Sequence, residues 1–183
     1  MSAVIPRHRV NVLTGLKSAK LIEDPAEYAN LIKKAKRPLL VVGPLLLAST
    51  ADGKVLMQYA LDIAKACSIP ICATAQTRGK MVELGVEPEC VYDVVEIANA
   101  LKDPNWQGVK KEGNHDLVIL FGIRSDLGNQ SLSTLKHFAP HLKTMTLCKH
   151  YFPHANYSVP NFKKDAKWLE FLDGLIVNLK KGE

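Results

Sequence analysis

Two apolar runs of the sequence end at glycine turns that could hold a phosphate group. Residues 39–42 (Leu-Leu-Val-Val) are followed by Gly43-Pro44, and residues 117–121 (Leu-Val-Ile-Leu-Phe) by Gly122-Ile123-Arg124. Glycines let backbone amides approach a phosphate closely, and a guanidinium group can neutralise its charge. The carboxyl ends of parallel strands meet at one edge of a sheet, so we expect both turns to lie at that edge.

The first of these turns is a weak nucleotide motif. Pro44 has no amide hydrogen and three leucines follow it, so neither a G-x-G-x-x-G fingerprint nor a Walker loop is present. The segment Arg78-Gly79-Lys80 and the side chain of Arg124 are better candidates for binding a phosphate or the carboxylates of a partner. Solvated loop charge is the alternative for these side chains, and on residue type alone it is the more common role.

Residues that could bind a metal or act as nucleophiles form no recognisable motif in this sequence. The cysteines are Cys67, Cys72, Cys90 and Cys148. They include no C-x-x-C pair, so we expect buried free thiols. His150 and His154 share a loop but lack a third ligand, which makes ordinary surface histidines the expectation. Since G-x-S-x-G and H-E-x-x-H are absent too, we assign no catalytic and no metal-binding residue.

Short apolar strands alternate with amphipathic helices along the chain. Asp24-Pro25 followed by Glu27 predicts a helix N-terminus with a capping box. The predicted elements are a helix 25–36, a strand 39–42, a helix 56–67, a strand 71–74, a polar loop 76–80, a helix from Val91 to Leu101, a loop 103–116, a strand 117–121, a short helix from Leu132 to Phe138, a strand 144–148, a short strand near 157–159 and a final helix from Asp165. This alternation indicates an α/β fold with a doubly wound, three-layer parallel sheet.

Length and composition limit the class of protein. A chain of 183 residues, 47% hydrophobic and 23% charged, is typical of a soluble globular protein, here interpreted as one domain over residues 1–183. No apolar stretch reaches the roughly 18–20 residues that cross a bilayer, and no apolar signal-peptide core follows the basic start. We therefore expect a cytoplasmic protein that does not contact membranes.

The formal net charge of +6 is concentrated near the N-terminus. Residues 1–37 hold eight Lys/Arg and three Asp/Glu, whereas the remaining chain holds sixteen and fifteen. We expect a basic arm over about residues 1–23 that is either solvated or meets an acidic protein partner. Aromatic residues do not alternate with the basic ones, so a nucleic-acid partner is not expected.

Three stretches of the sequence resemble a known family. They are "LIKKAKRPLLVVGPLLL", "IPICATAQTRGKM" and "HDLVILFGIRSDLGNQSLSTLKHF", and they are similar to the epsilon subunits of the archaeal acetyl-CoA decarbonylase/synthase complex, also called the carbon monoxide dehydrogenase complex. The resemblance implies a parallel-sheet fold like the NAD/FAD-binding-like central domain of thiamine-diphosphate enzymes. It also implies association with the nickel–iron–sulfur alpha subunit in an alpha2-epsilon2 assembly that oxidises CO.

The resemblance also suggests where a cofactor could bind. Sheet relatives that hold FAD have a glycine after the first strand, a Gly-Lys-Gly loop and a Gly-x-Arg turn. The matching positions here are Gly43, Gly79-Lys80 and Gly122-Ile123-Arg124, whereas Met81 and Cys148-Lys149-His150 depart from that pattern. The predicted FAD or nucleotide edge consists of Gly43, Thr77, Arg78, Gly79, Gly122 and Arg124.

Two functions follow as hypotheses. The first is an accessory subunit without chemistry of its own, which docks on the CO dehydrogenase alpha subunit and stabilises an alpha2-epsilon2 component. The second is an FAD-binding subunit that assists electron transfer during CO oxidation. A sirtuin-type NAD-dependent deacylase is discounted, because the zinc cysteine pairs and the glycine-rich turn of such enzymes are missing. Self-association of the isolated chain is left open.

Overall fold

Seven parallel strands form the centre of the fold in the computed structural model, which describes residues 17–50, 53 and 55–181. The strands lie in the order β1-β7-β6-β5-β2-β3-β4. They are β1 (Lys20–Leu21), β2 (Pro38–Val42), β3 (Ile71–Ala73), β4 (Cys90–Val91), β5 (Leu117–Phe121), β6 (Lys143–Thr146) and β7 (Tyr157–Ser158). The order runs outward from β2 in both directions, which confirms the doubly wound α/β fold.

Helices cover both faces of this sheet. They are α1 (Pro25–Lys34), α2 (Leu56–Ala66), α3 (Ala75–Glu83), α4 (Val94–Lys102), α5 (Ser125–Phe138) and α6 (Asp165–Lys180), and a short 3-10 helix occupies Pro44–Leu47. No helix within the described part of the chain is long and apolar enough to cross a membrane. Similarity to the central domain of thiamine-diphosphate enzymes stays a prediction.

The central strands show why three layers form. In β2 and β5, alternate side chains point to opposite faces. Leu40 and Ile119 join the core beneath α1, α2 and α6, whereas Val41 and Leu120 join the core beneath α4 and α5. Every residue of β5 is buried. A strand that is apolar on both faces therefore lies in the middle of the sheet, as its sequence predicted.

The start of α1 confirms part of the predicted cap. The Asp24 carboxylate accepts a hydrogen bond from the Ala26 amide at 2.9 Å, and Pro25 is the first helical residue. The Glu27 carboxylate instead forms an ion pair, at 2.5 Å, with the ammonium group of Lys20 in β1. The described structure has its capping box at α4, where Asp93 and Glu96 bond reciprocally.

Several predicted elements are wrong in type or length. Residues 76–80 lie within α3 and not in a loop, and Val91 belongs to β4 and not to a helix. Helix α5 begins at Ser125, so it is longer than predicted, and Phe138 at its end is 68% exposed. Of the predicted basic arm, residues 1–16 lie outside the described residues.

Candidate functional site at the carboxyl edge of the sheet

The strand order reverses between β2 and β5, and their two glycine turns meet at this switch point. The Gly43 amide donates to the Phe121 carbonyl at 2.8 Å, and the Leu45 amide donates to the Gly122 carbonyl at 3.0 Å. Leu46 is fully buried against Gly122. The amides that would face a diphosphate in a nucleotide-binding turn therefore bond within the protein, and leucine fills the space between the turns.

A cavity of about 410 Å³ opens next to this switch point, over the ends of β5 and β6. Its volume lies in the range of small-molecule sites. Its walls are largely apolar, with a few polar and charged side chains at the side of α5 and after β6. Its lining includes Gly122, Arg124, Asp126, Cys148, Lys149 and Trp168.

The cations of this cavity are already paired with carboxylates. Arg124 forms a bidentate ion pair with Asp126, in which Nε lies 3.2 Å from Oδ1 of the carboxylate. The Lys149 ammonium lies 2.6 Å from the Asp165 carboxylate. Hydrogen bonding to Arg124 lowers the pKa of Asp126 to about 2, so this carboxylate is charged at neutral pH. An anionic ligand would compete with Asp126 for the Arg124 guanidinium.

The cysteine of this cavity is a structural thiol. Cys148 is buried, and its Sγ donates weakly to the Leu120 and Ile123 carbonyls at 3.8 and 3.7 Å. Burial raises the pKa of the thiol to about 11. The neutral form therefore dominates, and the thiolate needed for nucleophilic chemistry is scarce.

Three of the predicted site residues lie on α3, away from the cavity. Thr77 is fully buried, and its hydroxyl donates to the Thr74 carbonyl at 2.8 Å. Arg78 is exposed and bonds the Glu87 carboxylate at 2.7 Å. Gly79 lies mid-helix, and a Cβ there would meet nothing within 4 Å. Of the six predicted residues, only Gly122 and Arg124 line the cavity.

Other lining residues were not predicted as part of a site. Trp168 lies on α6; it is buried, and its indole N–H donates to the Leu147 carbonyl at 3.0 Å. Phe152 also lines the cavity from a loop of the chain. The sequence carries no signal for these two positions, because they reach the cavity through long-range packing. His150 lines the cavity and His154 does not, and the described residues hold no group of three potential metal ligands.

Comparison with known proteins identifies the family. The model of the family described as CO dehydrogenase beta subunit/acetyl-CoA synthase epsilon subunit matches residues 2–176. A relative from Methanothermobacter thermautotrophicus, named acetyl-CoA decarbonylase/synthase complex subunit epsilon, is 43% identical over 88% of this chain and 89% of its own length. Proteins named subunit epsilon 1 of that complex are 38% identical in Archaeoglobus fulgidus, over 85% of this chain and 82% of the relative, and 37% identical in Methanosarcina barkeri, over 84% and 85%. The predicted resemblance is confirmed, and the chain belongs to the CO dehydrogenase beta subunit/acetyl-CoA synthase epsilon subunit family.

Proposed function

We propose that this chain is the epsilon subunit of an archaeal acetyl-CoA decarbonylase/synthase complex and acts as an accessory subunit without chemistry of its own. It associates with the CO dehydrogenase alpha subunit and stabilises an alpha2-epsilon2 component. The observation that carries the proposal is the 43% identity to a protein of that name across 88% of this chain and 89% of the relative.

The packing at the switch point supports an accessory role. Open α/β sheets bind their ligands where the strand order reverses. Here the turns of Gly43 and Gly122 pack against one another, and Leu46 fills the crevice. The space between the two turns, where an enzyme of this architecture would hold a phosphate group, is thus filled by the protein itself.

The distribution of charge supports a protein partner. Lys33, Lys34, Lys36 and Arg37 supply four of the eight cations of residues 1–37, and they lie at the end of α1 and not in the arm. Their side chains are exposed. A cluster of exposed cations speeds the encounter with an acidic surface, and the association then weakens as salt rises.

Co-purification tests the proposal directly. We expect a tagged form of this chain, co-expressed with the CO dehydrogenase alpha subunit, to retain the alpha subunit at low salt and lose it progressively at high salt. We expect the CO-oxidising assembly to inactivate at a lower temperature when this chain is omitted. An alpha subunit that does not bind, or an assembly equally stable without this chain, would contradict the proposal.

Two matched variants test which helical layer of the fold contacts the alpha subunit. Val95 on α4 and Val177 on α6 are 52% and 51% exposed and lie on opposite faces of the sheet. Because each is exposed, Val95→Ser and Val177→Ser should leave the fold intact. Loss of the alpha subunit with only one of them identifies the helical layer that docks. Removal of residues 1–16, which precede the described structure, tests the basic arm separately.

We propose FAD binding, with assistance to electron transfer during CO oxidation, as the second candidate function. The observation that favours it is the cavity of about 410 Å³, which combines Trp168 and other apolar walls with Arg124 and Lys149. The Gly122 backbone and the Arg124 guanidinium would hold the cofactor, and FAD would supply redox chemistry there. Participation of Gly43, Thr77, Arg78 and Gly79 in such a site stays a prediction.

Isothermal titration with FAD distinguishes the two functions. Arg78 and Arg124 form a matched pair, because each is exposed and bonded to a carboxylate, but only Arg124 lines the cavity. We expect Arg124→Ala to weaken FAD binding and Arg78→Ala to leave it unchanged. No heat with the unmodified chain would remove the second function and leave the accessory role untouched.

A further inference from the structure

Two cysteines lie side by side at the edge of the sheet. Cys72 in β3 and Cys90 in β4 are register partners in the parallel ladder, and both side chains point to the face covered by α4. Neighbouring strands are spaced about 4.8 Å apart, which lies within the Cα–Cα range of disulfides, about 4.4–6.8 Å. The backbone therefore already brings the two cysteines within bonding reach.

Backbone hydrogen bonds hold this pair in register from both ends. The Glu89 amide donates to the Ile71 carbonyl at 3.0 Å, and the Tyr92 amide donates to the Ala73 carbonyl at 3.1 Å. The Glu89 carboxylate also accepts from the Ile71 amide at 2.8 Å. Because both strands are fixed on either side of the pair, the thiols meet without a change of fold. Such pre-organisation makes an intramolecular step fast.

The two thiols differ in access and in acidity. Cys72 is fully buried, whereas Cys90 is half-buried on the terminal strand of the described sheet. Hydrogen bonding between the two thiols lowers the pKa of Cys90 and raises that of Cys72. Cys90 is therefore the thiol that an external reagent meets first, and Cys72 is the thiol behind it.

The other two cysteines lie away from this pair. Cys148 lies beside the cavity with its thiol bonded to backbone carbonyls. Cys67 ends α2 and packs against the core on the opposite face of the sheet from Cys72. Both serve as internal controls for thiol reactivity.

We infer that Cys72 and Cys90 form a dithiol–disulfide redox site that exchanges with a low-molecular-weight disulfide or with the disulfide of another protein. The Cys90 thiolate attacks one sulfur of the external disulfide, forms a mixed disulfide and releases one thiolate. Cys72 then gives up its proton and attacks the Cys90 sulfur, which releases the second thiolate. The two cysteines are oxidised, and the external disulfide is reduced to two thiols.

Thiol mapping of the purified full-length chain tests this inference, with oxidised glutathione as the probe. After reaction, the free thiols are alkylated and the peptides are identified by mass spectrometry. We expect Cys72 and Cys90 to become protected together, joined in one cross-linked peptide, and we expect dithiothreitol to reverse this. Cys67→Ser and Cys148→Ser should give the same cross-link as the unmodified chain.

Single substitutions separate the two roles. In Cys72→Ala, the mixed disulfide cannot be resolved, so glutathione should stay attached to Cys90. In Cys90→Ser, the buried Cys72 should react far more slowly than Cys90 does in the unmodified chain. The inference is overturned if the unmodified chain keeps glutathione on Cys90, or if no cross-link between residues 72 and 90 forms. The cross-link itself is measured on the unmodified chain, so the test stands even if Cys72→Ala folds poorly.

Discussion

Gly43 and Gly122 are in backbone contact at the point where β2 and β5 end. The Cβ of any other residue at position 43 would lie 2.4 Å from the Gly122 carbonyl oxygen, which is far inside a van der Waals contact. Gly122 has a φ of +73°, and a Cβ on it would lie 2.3 Å from Cγ of Leu46. The packing of one turn on the other therefore accounts for both glycines without a bound phosphate.

Alanine at either position should destabilise the fold. We expect Gly43→Ala to lower the free energy of unfolding by about 1–3 kcal/mol, because the methyl group meets backbone that cannot move aside. Gly122→Ala adds the strain of a positive φ for a residue with a Cβ. Urea unfolding curves measure both effects.

Gly79 is the matched control for these substitutions. It lies mid-helix in α3 with open space around it. We expect Gly79→Ala to raise the free energy of unfolding by about 0.5–1 kcal/mol, since alanine is the better helix former. Equal stability of the three variants would contradict the packing argument.

The central sheet was predictable from the sequence because its strands carry a strong local pattern. Residues 39–42 and 117–121 are apolar without interruption and end at glycine, so their strand assignment and their common edge were correct. The contact between Gly43 and Gly122 was not predictable, since it joins turns that are distant in the chain. Pattern can place a turn at an edge, but it cannot show what fills the space beside it.

The wrong assignments have local causes. The segment 76–80 is polar and contains Gly79, which suggested a loop, yet burial of Thr77 and Met81 holds it in a helix. Strands β1 and β4 have two residues each, too short for an apolar pattern to register. Trp168 lines the cavity from α6, a helix that was predicted correctly, but its position beside the cavity depends on tertiary packing.

Asp126 should limit the access of anions to Arg124. The exposed pair adds little to stability, so we expect Asp126→Asn to leave the unfolding midpoint almost unchanged. Without the carboxylate, however, the guanidinium is free to bind phosphate beside Lys149. Titration with inorganic phosphate should show several-fold tighter binding than to the unmodified chain.

Glu87→Gln is the control for the Asp126 variant. It frees Arg78, which also bonds a carboxylate but lies away from the cavity. We expect a smaller gain in phosphate binding from Glu87→Gln, and we expect the double change Asp126→Asn with Arg124→Ala to cancel the gain. Equal gains from both carboxylate variants would mean that the cavity contributes nothing.

Tyr28 should anchor α1 to the end of β6. It is fully buried, its hydroxyl donates to the Thr146 carbonyl at 2.5 Å, and its ring meets Phe171 edge-on at 5.4 Å. Tyr28→Phe keeps the ring but leaves the buried Thr146 carbonyl without the hydrogen bond from the hydroxyl. We expect a loss of about 1–2 kcal/mol in the free energy of unfolding.

Tyr151→Phe is the matched comparison for Tyr28→Phe. The Tyr151 hydroxyl donates to the Ala19 carbonyl at 2.8 Å, but this side chain is only half-buried. Water can replace the lost bond there, so we expect a smaller loss of stability. A cost for Tyr151→Phe equal to that for Tyr28→Phe would show that burial does not set the effect.

His115 should make stability depend on pH. The ring is buried against Trp106, with ring centroids 5.6 Å apart. Nδ1 lies 3.0 Å from the Arg37 carbonyl and must donate to it, and Nε2 accepts from the Val109 amide at 3.3 Å. This arrangement requires the neutral imidazole, because a second ring proton would take the acceptor from Val109. Burial accordingly lowers the pKa of His115.

The sign of the pH effect follows from this lowered pKa. An unfolded histidine has a pKa of about 6.5, so between that value and the folded pKa the unfolded chain binds more protons. The contribution of His115 to stability is therefore complete above about pH 6.5 and is lost as the pH falls through the folded pKa. Burial also lowers the pKa of His154, which adds in the same direction.

Unfolding midpoints measured from about pH 8 down to about pH 5 isolate the effect of His115. We expect the midpoint of the unmodified chain to fall with pH more steeply than that of His115→Gln, because glutamine at position 115 does not titrate. We expect His154→Gln to reduce the slope as well, because it removes the contribution of the second histidine. A slope that survives in His115→Gln combined with His154→Gln would assign the pH dependence to other groups.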